Sequence, residues 1–288
     1  MTMNGDLGKR AVVITGASTG IGRACAIHLD ALGYRVFAGV RSQADAERIG
    51  REGSGRLTPI LLDVTDVGAI VSAAKEIGAA VGDAGLAGLV NNAGIVVSSP
   101  IEYVPLDDLR RQFEVNVIGA VAVTQAFLPL LRRARGRIVN IGSIGGRNAL
   151  PFVGPYAASK SALAAITESL RRELRGSGIE VSLIEPGAVA TPIWEKSDAA
   201  AMERMTKFPP EVATLYGPAM LKVQAAAKKV RAGAVPPEMV AKAVEDALTS
   251  PRPRARTLIG TEAKVQALLR WLLPDRLLDA FFAKFLGL

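Results

Sequence analysis

Cysteine and histidine are almost absent from this sequence of 288 residues, which holds one of each, Cys25 and His28. A single cysteine cannot form an internal disulfide, and a reducing compartment is the default for such a chain. Zinc sites need several cysteine or histidine ligands, so the composition predicts no metal site. The N-terminal residues do not resemble a signal peptide, and no apolar run reaches the roughly 20 residues that cross a bilayer. We therefore expect a cytoplasmic protein.

Aromatic residues are also scarce, at 5% of the sequence, and no basic run interleaves with them. Proteins that bind single-stranded nucleic acid stack bases on aromatic side chains, so nucleic acid is not an expected partner. The formal net charge is +8, from 35 Lys and Arg against 27 Asp and Glu. That charge is compatible with an anionic ligand, an acidic surface or nucleic acid and does not by itself choose among them.

The sequence does contain a regular alternation of short apolar runs and helical stretches. The runs lack alternating polar residues, as expected of strands buried on both faces of a parallel sheet. They lie at residues 11–15, 35–40, 57–62, 86–90, 137–141, 180–184 and 256–259. The helical stretches lie at residues 21–32, 67–81, 109–133, 156–175 and 237–249. This order predicts an α/β fold with a doubly wound, Rossmann-like parallel sheet in a single domain over residues 1–288.

Residues 188–234 interrupt the alternation after the sixth strand and are predicted to be helical in part. A segment beyond the carboxyl end of a strand lies where ligands bind in open α/β sheets. Its larger apolar side chains either line an apolar, adaptable pocket or pack the segment onto the body of the protein. They are Trp194, Met202, Met205, Phe208, Leu215, Met220 and Leu221.

The tail, residues 262–288, carries an apolar face predicted to lie on one or two short helices broken near Pro274. The apolar positions are Leu268, Leu269, Trp271, Leu272, Leu273, Leu277, Leu278, Phe281, Phe282, Phe285 and Leu286. Packing on the body or at a subunit interface is the favoured interpretation. Contact with a membrane surface, helped by Arg270, Arg276 and Lys284, is the alternative.

A glycine-rich loop, residues 15–22, follows the first strand and opens the first helix. Glycines allow a tight turn, and the helix N-terminus offers unpaired amide donors to a pyrophosphate. The position of Gly16, Gly20 and Gly22 between strand and helix therefore predicts dinucleotide binding. The same stretch satisfies G-x-S-x-G around Ser18, the pattern of a hydrolase nucleophile. That chemistry needs a base, usually a histidine late in the chain. The only histidine, His28, lies ten residues after Ser18 in the helix that the loop opens, so a serine hydrolase is rejected.

The residues after the second and third strands bear on the choice of cofactor. An acidic residue at the end of the second strand would bind the ribose 2′-hydroxyl of NAD. Val40 stands there instead, and Arg41 and Ser42 are suited to a 2′-phosphate, so NADP(H) is favoured over NAD(H). The alternative is that Arg41 is only a solvated loop cation. Asp63, followed by Val64, either contacts the adenine amino group or caps its own turn.

Three polar residues form the predicted catalytic set. Tyr156 and Lys160 are four residues apart and therefore share a helix face, and Ser143 ends the fifth strand. A free tyrosine has a pKa near 10 and is a poor base. A neighbouring ammonium group and a helix N-terminus favour the phenolate, so we expect the pKa of Tyr156 to fall. Ser143 can hydrogen-bond the substrate oxygen as charge develops on it.

Together these motifs resemble the short-chain dehydrogenase/reductase family, over about residues 9–187. The resemblance also rests on residues 91–94 (Asn-Asn-Ala-Gly), on Asn116 inside the predicted helix at residues 109–133, and on Pro186-Gly187 followed by Thr191. It implies a catalytic tetrad of Asn116, Ser143, Tyr156 and Lys160. The cofactor contacts that it implies are Gly16, Ser18, Thr19, Gly20, Ile21, Gly22, Arg41, Asp63, Val64, Asn92, Ala93, Gly94, Tyr156, Lys160, Pro186, Gly187, Val189 and Thr191.

The resemblance further implies hydride transfer between a nicotinamide cofactor and a carbonyl carbon, with Tyr156 as acid in reduction and as base in oxidation. Lys160 would hold the ribose, and Asn116 and a water would replenish the proton. The direction stays open, although NADP favours reduction. A looser likeness to the retinol, 17β-hydroxysteroid and 3-hydroxybutyrate dehydrogenase branch suggests a medium-sized hydrophobic ketone or alcohol, such as a steroid or retinoid.

Family members are commonly dimers or tetramers, so the resemblance implies a homo-oligomer that forms through the helices containing Asn116 and Tyr156. Two other functions remain as alternatives. One is a non-catalytic dinucleotide sensor, and the other is a protein that docks on a membrane through the tail.

Overall fold

The computed structural model describes residues 10–288, and at its centre lies a parallel sheet of seven strands. The strand order is β3-β2-β1-β4-β5-β6-β7. The strands are β1 (Ala11–Ile14), β2 (Arg35–Val40), β3 (Leu57–Leu61), β4 (Gly88–Asn91), β5 (Arg137–Ile141), β6 (Glu180–Pro186) and β7 (Arg256–Ile259). The predicted doubly wound sheet is therefore confirmed, with differences of one or two residues at several strand ends.

Eleven α-helices accompany the strands in residues 10–288. They are α1 (Gly20–Ala31), α2 (Gln43–Glu52), α3 (Val67–Val81), α4 (Leu106–Phe113), α5 (Gly119–Ala134), α6 (Gly154–Glu173), α7 (Ile193–Met205), α8 (Pro210–Ala232), α9 (Pro237–Thr249), α10 (Thr261–Leu272) and α11 (Asp275–Leu286). Every predicted helix is present. The sequence analysis missed α2, because most of its residues are polar or charged and Ile49 is the only one that is buried.

Local capping explains where two of these helices begin. The Ser42 hydroxyl accepts a hydrogen bond from the Asp45 amide at the start of α2. Asp66 does the same for the Ala69 amide at the start of α3. Each cap satisfies one of the amide donors that a helix N-terminus leaves unpaired.

The hydrophobic core consists of two clusters, one on each face of the sheet. On one face Val12 and Ile14 of β1 pack with Leu29 of α1 and Val244 of α9. On the other face the alternate β1 residues Ala11 and Val13 join a cluster that includes side chains of α3 and α5. Burial on both faces explains why the strands read as continuous apolar runs. His28 lies on the surface between α1 and α9, where its Nε2 is 2.8 Å from Glu245.

The strands are added to the sheet in opposite directions from β1. β2 and β3 lie on one side of β1, and β4 to β7 lie on the other. The switch falls between β1 and β4, which are hydrogen-bonded in parallel with Val13 opposite Leu89. In open α/β sheets the crevice at the carboxyl ends of the strands beside such a switch is the place where ligands bind. The fold therefore directs attention to this edge of the sheet.

The tail forms two helices, as predicted, with Pro274 between α10 and α11. One side packs on the body: Ala263, Leu278 and Leu286 are buried, and α11 lies against α8. The other side carries exposed apolar side chains, among them Trp271, whose exposed fraction is 80%. The predicted packing thus accounts for only part of the apolar residues.

A continuous helical stretch, Leu106–Ala134, is the one helix in the described residues that is long and apolar enough by composition to cross a membrane. Half of its apolar window is buried inside the protein. It contains α4, α5 and the segment between them.

Candidate active site

A cleft of about 810 Å³ lies at the carboxyl ends of β1 to β6. Ser143, Tyr156 and Lys160 line it, whereas Asn116 is buried behind its wall. Gly22 is the only predicted cofactor contact that does not line the cleft. The others that line it, besides Tyr156 and Lys160, are Gly16, Ser18, Thr19, Gly20, Ile21, Arg41, Asp63, Val64, Asn92, Ala93, Gly94, Pro186, Gly187, Val189 and Thr191.

The glycine-rich loop has the geometry of a phosphate cradle. Gly16 and Gly20 have φ angles of +64° and +56°, which L side chains rarely adopt. A Cβ on Gly22 would lie 2.3 Å from the Gly16 carbonyl oxygen, so the third glycine is needed for close packing. Thr19, at the start of α1, makes no side-chain cap, which leaves the first amides of the helix available to an anion. The loop therefore fits the pyrophosphate of a dinucleotide.

Hydrogen bonds between Thr15 of the loop and the residues that follow β4 hold this loop in place. Asn92 Nδ2 donates to the carbonyl oxygens of Thr15 and Gly16 at 2.9 and 3.1 Å. The Thr15 hydroxyl accepts hydrogen bonds from the amides of Asn92 and Ala93, each at 3.0 Å. The role of Thr15 was missed from the sequence, because a threonine that ends a strand carries no distinctive spacing.

At the end of β2, Arg41 is exposed and lines the cleft, and no carboxylate stands beside it at Val40. The Ser42 hydroxyl is already engaged with Asp45 as the cap of α2. This leaves Arg41 as the predicted partner of a 2′-phosphate. Asp63 accepts hydrogen bonds from the Thr65 amide and hydroxyl at 2.9 and 2.8 Å, so it does cap its own turn.

Lys160 is a buried cation beside the tyrosine. Its Nζ donates to the Ile141 carbonyl oxygen at 2.7 Å and lies 5.9 Å from the centroid of the Tyr156 ring. Burial lowers the pKa of Lys160 from 10.5 to about 8, because the interior disfavours the charged form. Most of the Lys160 side chains therefore stay protonated at neutral pH.

The prediction that the pKa of Tyr156 falls is wrong for the groups that surround it in this protein. Burial raises that pKa, and the hydrogen bond with Ser143 opposes the rise without cancelling it. The sequence argument considered the neighbouring charge and the helix N-terminus but could not include desolvation, which is the largest cause here. Tyr156 is accordingly a protonated phenol at neutral pH.

Asn116 lies in a short π-helical segment, Glu114–Ile118, which displaces the backbone between α4 and α5. Its Oδ1 accepts from the Ile95 amide at 2.8 Å, and its Nδ2 donates to the Ile95 carbonyl and the Ser159 hydroxyl at 3.1 Å each. Lys160 is not among these partners. The predicted proton route from Asn116 to Lys160 therefore stays a prediction.

Ser159 joins Asn116 to the tyrosine helix. Its hydroxyl donates to the Tyr156 carbonyl oxygen at 2.7 Å and accepts from Asn116 and from Gln112 Nε2 at 3.1 and 3.3 Å. Gln112 precedes Asn116 by one helical turn. Both residues were missed from the sequence, although their spacing from Asn116 and Tyr156 could have indicated them.

The far wall of the cleft is formed by α4 and α7. Arg204 of α7 holds the two together: its Nε donates to Asp108 Oδ2 at 2.6 Å, and its Nη1 donates to the Ser98 carbonyl at 2.9 Å. Of the seven apolar side chains predicted to line a pocket or to pack, only Trp194 lines the cleft. The wall on this side mixes apolar and charged residues, namely Val96, Val97, Asp108, Arg110, Arg111, Glu114, Val115, Ile193, Trp194, Lys196, Ser197, Ala200 and Arg204.

A family model described as short chain dehydrogenase matches residues 10–201, two thirds of the chain. The chain belongs to the short-chain dehydrogenase family. Human retinol dehydrogenase 5 (Homo sapiens) is 39% identical over 275 residues, which cover 93% of this chain and 86% of that protein. The NADPH-dependent 3-dehydrocapnine reductase of Ornithobacterium rhinotracheale is 36% identical over 280 residues, 96% of each chain.

Solved structures of other short-chain dehydrogenases have a similar fold. A short chain dehydrogenase from Burkholderia cenocepacia in complex with NADP superposes with a TM-score of 0.72 at 26% identity, over 96% of this chain and 97% of that one. The predicted family and its likeness to the retinol dehydrogenases are confirmed. The protein is an NAD(P)-dependent oxidoreductase that interconverts a carbonyl group and an alcohol.

Proposed function

We propose that this short-chain dehydrogenase acts on a medium-sized hydrophobic ketone, aldehyde or secondary alcohol, with NADP(H) as cofactor and Asn116, Ser143, Tyr156 and Lys160 as its tetrad. The observation that carries the proposal is one cleft in which Ser143, Tyr156 and the buried Lys160 lie beside a glycine-rich phosphate cradle. The apolar part of the far wall and the retinol and 3-dehydrocapnine named for its relatives support a hydrophobic substrate.

When bound, the nicotinamide supplies the hydride, so the protein has to position the carbonyl and manage one proton. Tyr156 donates that proton to the carbonyl oxygen, and its raised pKa keeps the phenol protonated and ready for reduction. The Ser143 hydroxyl hydrogen-bonds the same oxygen as negative charge develops. The Lys160 ammonium stabilises the phenolate left on Tyr156. The hydrogen bond between Asn116 and Ser159 fixes the start of α6, the helix that carries Tyr156 and Lys160.

Initial rates on a panel of carbonyl compounds with NADPH and NADH test this function directly. The panel contains all-trans-retinal, a 17-ketosteroid, a long-chain aliphatic 3-ketone and cyclohexanone as a small control. We expect turnover of at least one of the larger compounds, with kcat/KM well above that for cyclohexanone. Binding of NADPH without turnover of any compound would instead support the dinucleotide sensor, which the intact catalytic set disfavours.

The preference for NADP(H) rests on Arg41. It is exposed at the cleft beside Val40, where NAD-binding proteins place a carboxylate, and the 3-dehydrocapnine reductase is NADPH-dependent by name. We expect Arg41→Ala to raise the Kd of NADPH about tenfold or more and that of NADH hardly at all, since only NADPH has the 2′-phosphate. The exposed Arg51 of α2 offers a matched control, since Arg51→Ala removes a charge away from the cleft. Equal losses for both cofactors would show that Arg41 does not recognise the 2′-phosphate.

We also propose that the tail docks on an anionic membrane surface. Its outward side chains form apolar stripes on both helices, at Val265, Leu268, Trp271 and Leu272 on α10 and at Leu277, Phe281, Phe285 and Leu288 near α11. Exposed cations lie on the same part of the fold, at Arg276 and Lys284 on α11 and at Lys222, Lys228 and Lys229 on α8, the helix that α11 contacts. Apolar stripes bordered by cations are typical of helices that lie in an anionic lipid interface.

Flotation with vesicles of phosphatidylcholine, with and without phosphatidylglycerol, tests the docking. We expect the full chain to float with the anionic vesicles and the double variant Trp271→Glu, Phe281→Glu to stay behind. Both side chains are exposed, so the fold should survive. Val67→Glu, Val71→Glu changes two exposed apolar residues of α3 and is the matched control. No vesicle binding, together with a dimer that only the tail variant disrupts, would assign the stripes to a second copy.

We propose a homo-oligomer that forms through α6 and the helix containing Asn116. Ile118, two residues after Asn116, is half exposed and offers an apolar contact on that helix. Sedimentation velocity of the protein and of Ile118→Glu tests this interface, and we expect the variant to shift toward monomer. A cytoplasmic location also stays a proposal, and it is compatible with docking on the inner face of a membrane.

A further inference from the structure

A buried carboxylate that the catalytic scheme does not use lies next to the active site. Glu185 is on β6, directly before the Pro186-Gly187 turn, and its side chain is 2% exposed. Arg147 binds it through two parallel hydrogen bonds, Nε to Oε1 at 2.9 Å and Nη2 to Oε2 at 2.5 Å. A bidentate pair of this kind fixes orientation as well as distance.

Arg147 ends the short loop that begins at Ser143. A 3₁₀ turn forms this loop, with hydrogen bonds from the Gly146 amide to the Ser143 carbonyl at 3.0 Å and from the Arg147 amide to the Ile144 carbonyl at 2.9 Å. Inside the turn the Gly145 amide donates to the Ser143 hydroxyl at 3.0 Å. The position of the Ser143 hydroxyl therefore depends on the shape of this turn.

The beginning of the loop is already fixed to β6, because the Gly142 amide donates to the Ile184 carbonyl at 2.7 Å. The ion pair of Arg147 with Glu185 fixes its other end to the next residue of the same strand. Both ends of the Ser143 loop are thus tied to the strand that continues into the Pro186-Gly187 turn. No other polar contact of the Arg147 side chain is found in residues 10–288.

We infer that Arg147 and Glu185 are positioning residues, which set the Ser143 hydroxyl against the Pro186-Gly187 turn and so align the carbonyl with the cofactor. This inference rests on the role proposed above for Ser143. A misplacement of reacting groups by about 1 Å can cost as much as a hundredfold in rate. The pair therefore acts on the chemical step and not on cofactor affinity.

Arg256 provides the matched control. Its Nη1 is 3.6 Å from Glu185 Oε1, and it also lies 3.3 Å from Glu168, but it is on β7 and has no link to the Ser143 loop. If the two arginines served only to neutralise the buried carboxylate, replacing either one would have a similar effect on catalysis. A positioning role makes only Arg147 important for catalysis.

The test compares Arg147→Ala, Arg147→Lys, Glu185→Gln and Arg256→Ala, using the fastest ketone of the panel. We measure kcat, the isotope effect with NADPH that carries two deuterium atoms at nicotinamide C4, the Kd of NADP⁺ by calorimetry, and hydrogen exchange over residues 143–149. For Arg147→Ala and Glu185→Gln we expect kcat to fall between about ten- and a hundredfold. The isotope effect and the exchange should rise and the Kd should stay within a few-fold, while Arg256→Ala changes none of these.

Arg147→Lys keeps the charge but loses the bidentate geometry, so it should fold and show an intermediate loss of kcat. An unchanged isotope effect, with kcat lowered only in proportion to the unfolded fraction, would overturn the inference in favour of a purely structural pair. Ser143→Ala is measured alongside. If Ser143→Ala keeps full turnover, the proposed role of Ser143 fails. If kcat falls in Ser143→Ala but not in Arg147→Ala, only the positioning role of Arg147 is overturned.

Discussion

Lys160, which we propose to be catalytic, carries a cost to stability because it is buried. Its pKa of about 8 lies well below the usual 10.5 because burial disfavours the charge. The unfolded chain therefore binds more protons than the folded one between about pH 8 and 10.5, and the stability of the protein rises with pH across that window. Below it the penalty for burying the ammonium is present in full.

Replacing this residue should therefore stabilise the protein while it removes activity. A shift from 10.5 to about 8 corresponds to about 3 kcal/mol, and the lost hydrogen bond to Ile141 offsets about 1 kcal/mol of the gain. We expect Lys160→Met to be about 2 kcal/mol more stable than the parent at pH 7, and the difference to shrink or reverse by pH 10.5. Urea denaturation at both pH values measures it, and a difference that does not change with pH would contradict this account.

At the scale of elements, Arg204 connects α7 to α4 at the far wall of the cleft. Arg204, with its side chain 12% exposed, spans from α7 to Asp108 of α4 and to the Ser98 carbonyl. Ser197 and Ser98 add a contact between hydroxyl oxygens at 3.2 Å. Because α7 lines the far wall and not the phosphate cradle, loosening it should affect the substrate more than the cofactor.

Arg204→Leu should therefore raise KM for the ketone about tenfold, with the Kd of NADP⁺ within about twofold, because hydrogen bonds to charged groups are worth about 1.5–3 kcal/mol. Steady-state kinetics and cofactor titration measure the two effects. Lys207→Leu removes a cation just after α7 that does not line the cleft and whose ion pair with Glu203 is exposed, so it should leave both constants unchanged. Equal changes in KM and Kd for Arg204→Leu would show that the contact supports the whole cleft instead.

At the scale of the whole molecule, the sequence predicted the sheet and the positions of the motifs well. Strands buried on both faces are continuous apolar runs, and the glycine-rich loop lies at a fixed place between β1 and α1. Solvent exposure was not predictable in the same way. The sign of the pKa shift of Tyr156 depends on burial, and the outward stripes of the tail depend on which face of α10 packs.

Contacts between side chains that are far apart in the sequence could not be predicted from it either. The pair of Arg147 and Glu185 joins residues 38 positions apart and has no motif. The substrate segment, residues 188–234, forms helices as predicted, but most of its large apolar residues lie away from the cleft. That residues 1–288 form a single domain stays a prediction, which one cooperative unfolding transition in calorimetry would support.

The central claim is that Tyr156 exchanges the proton with the substrate oxygen. Tyr156→Phe removes only the hydroxyl and keeps the aromatic ring, so the fold and the cofactor cradle should remain. The measurement is kcat for the fastest ketone of the panel together with the Kd of NADPH. We expect kcat to fall by about a thousandfold or more, with the Kd within a few-fold, since a positioned acid contributes about 10² to 10⁴ in rate. Turnover close to that of the parent protein would contradict the account.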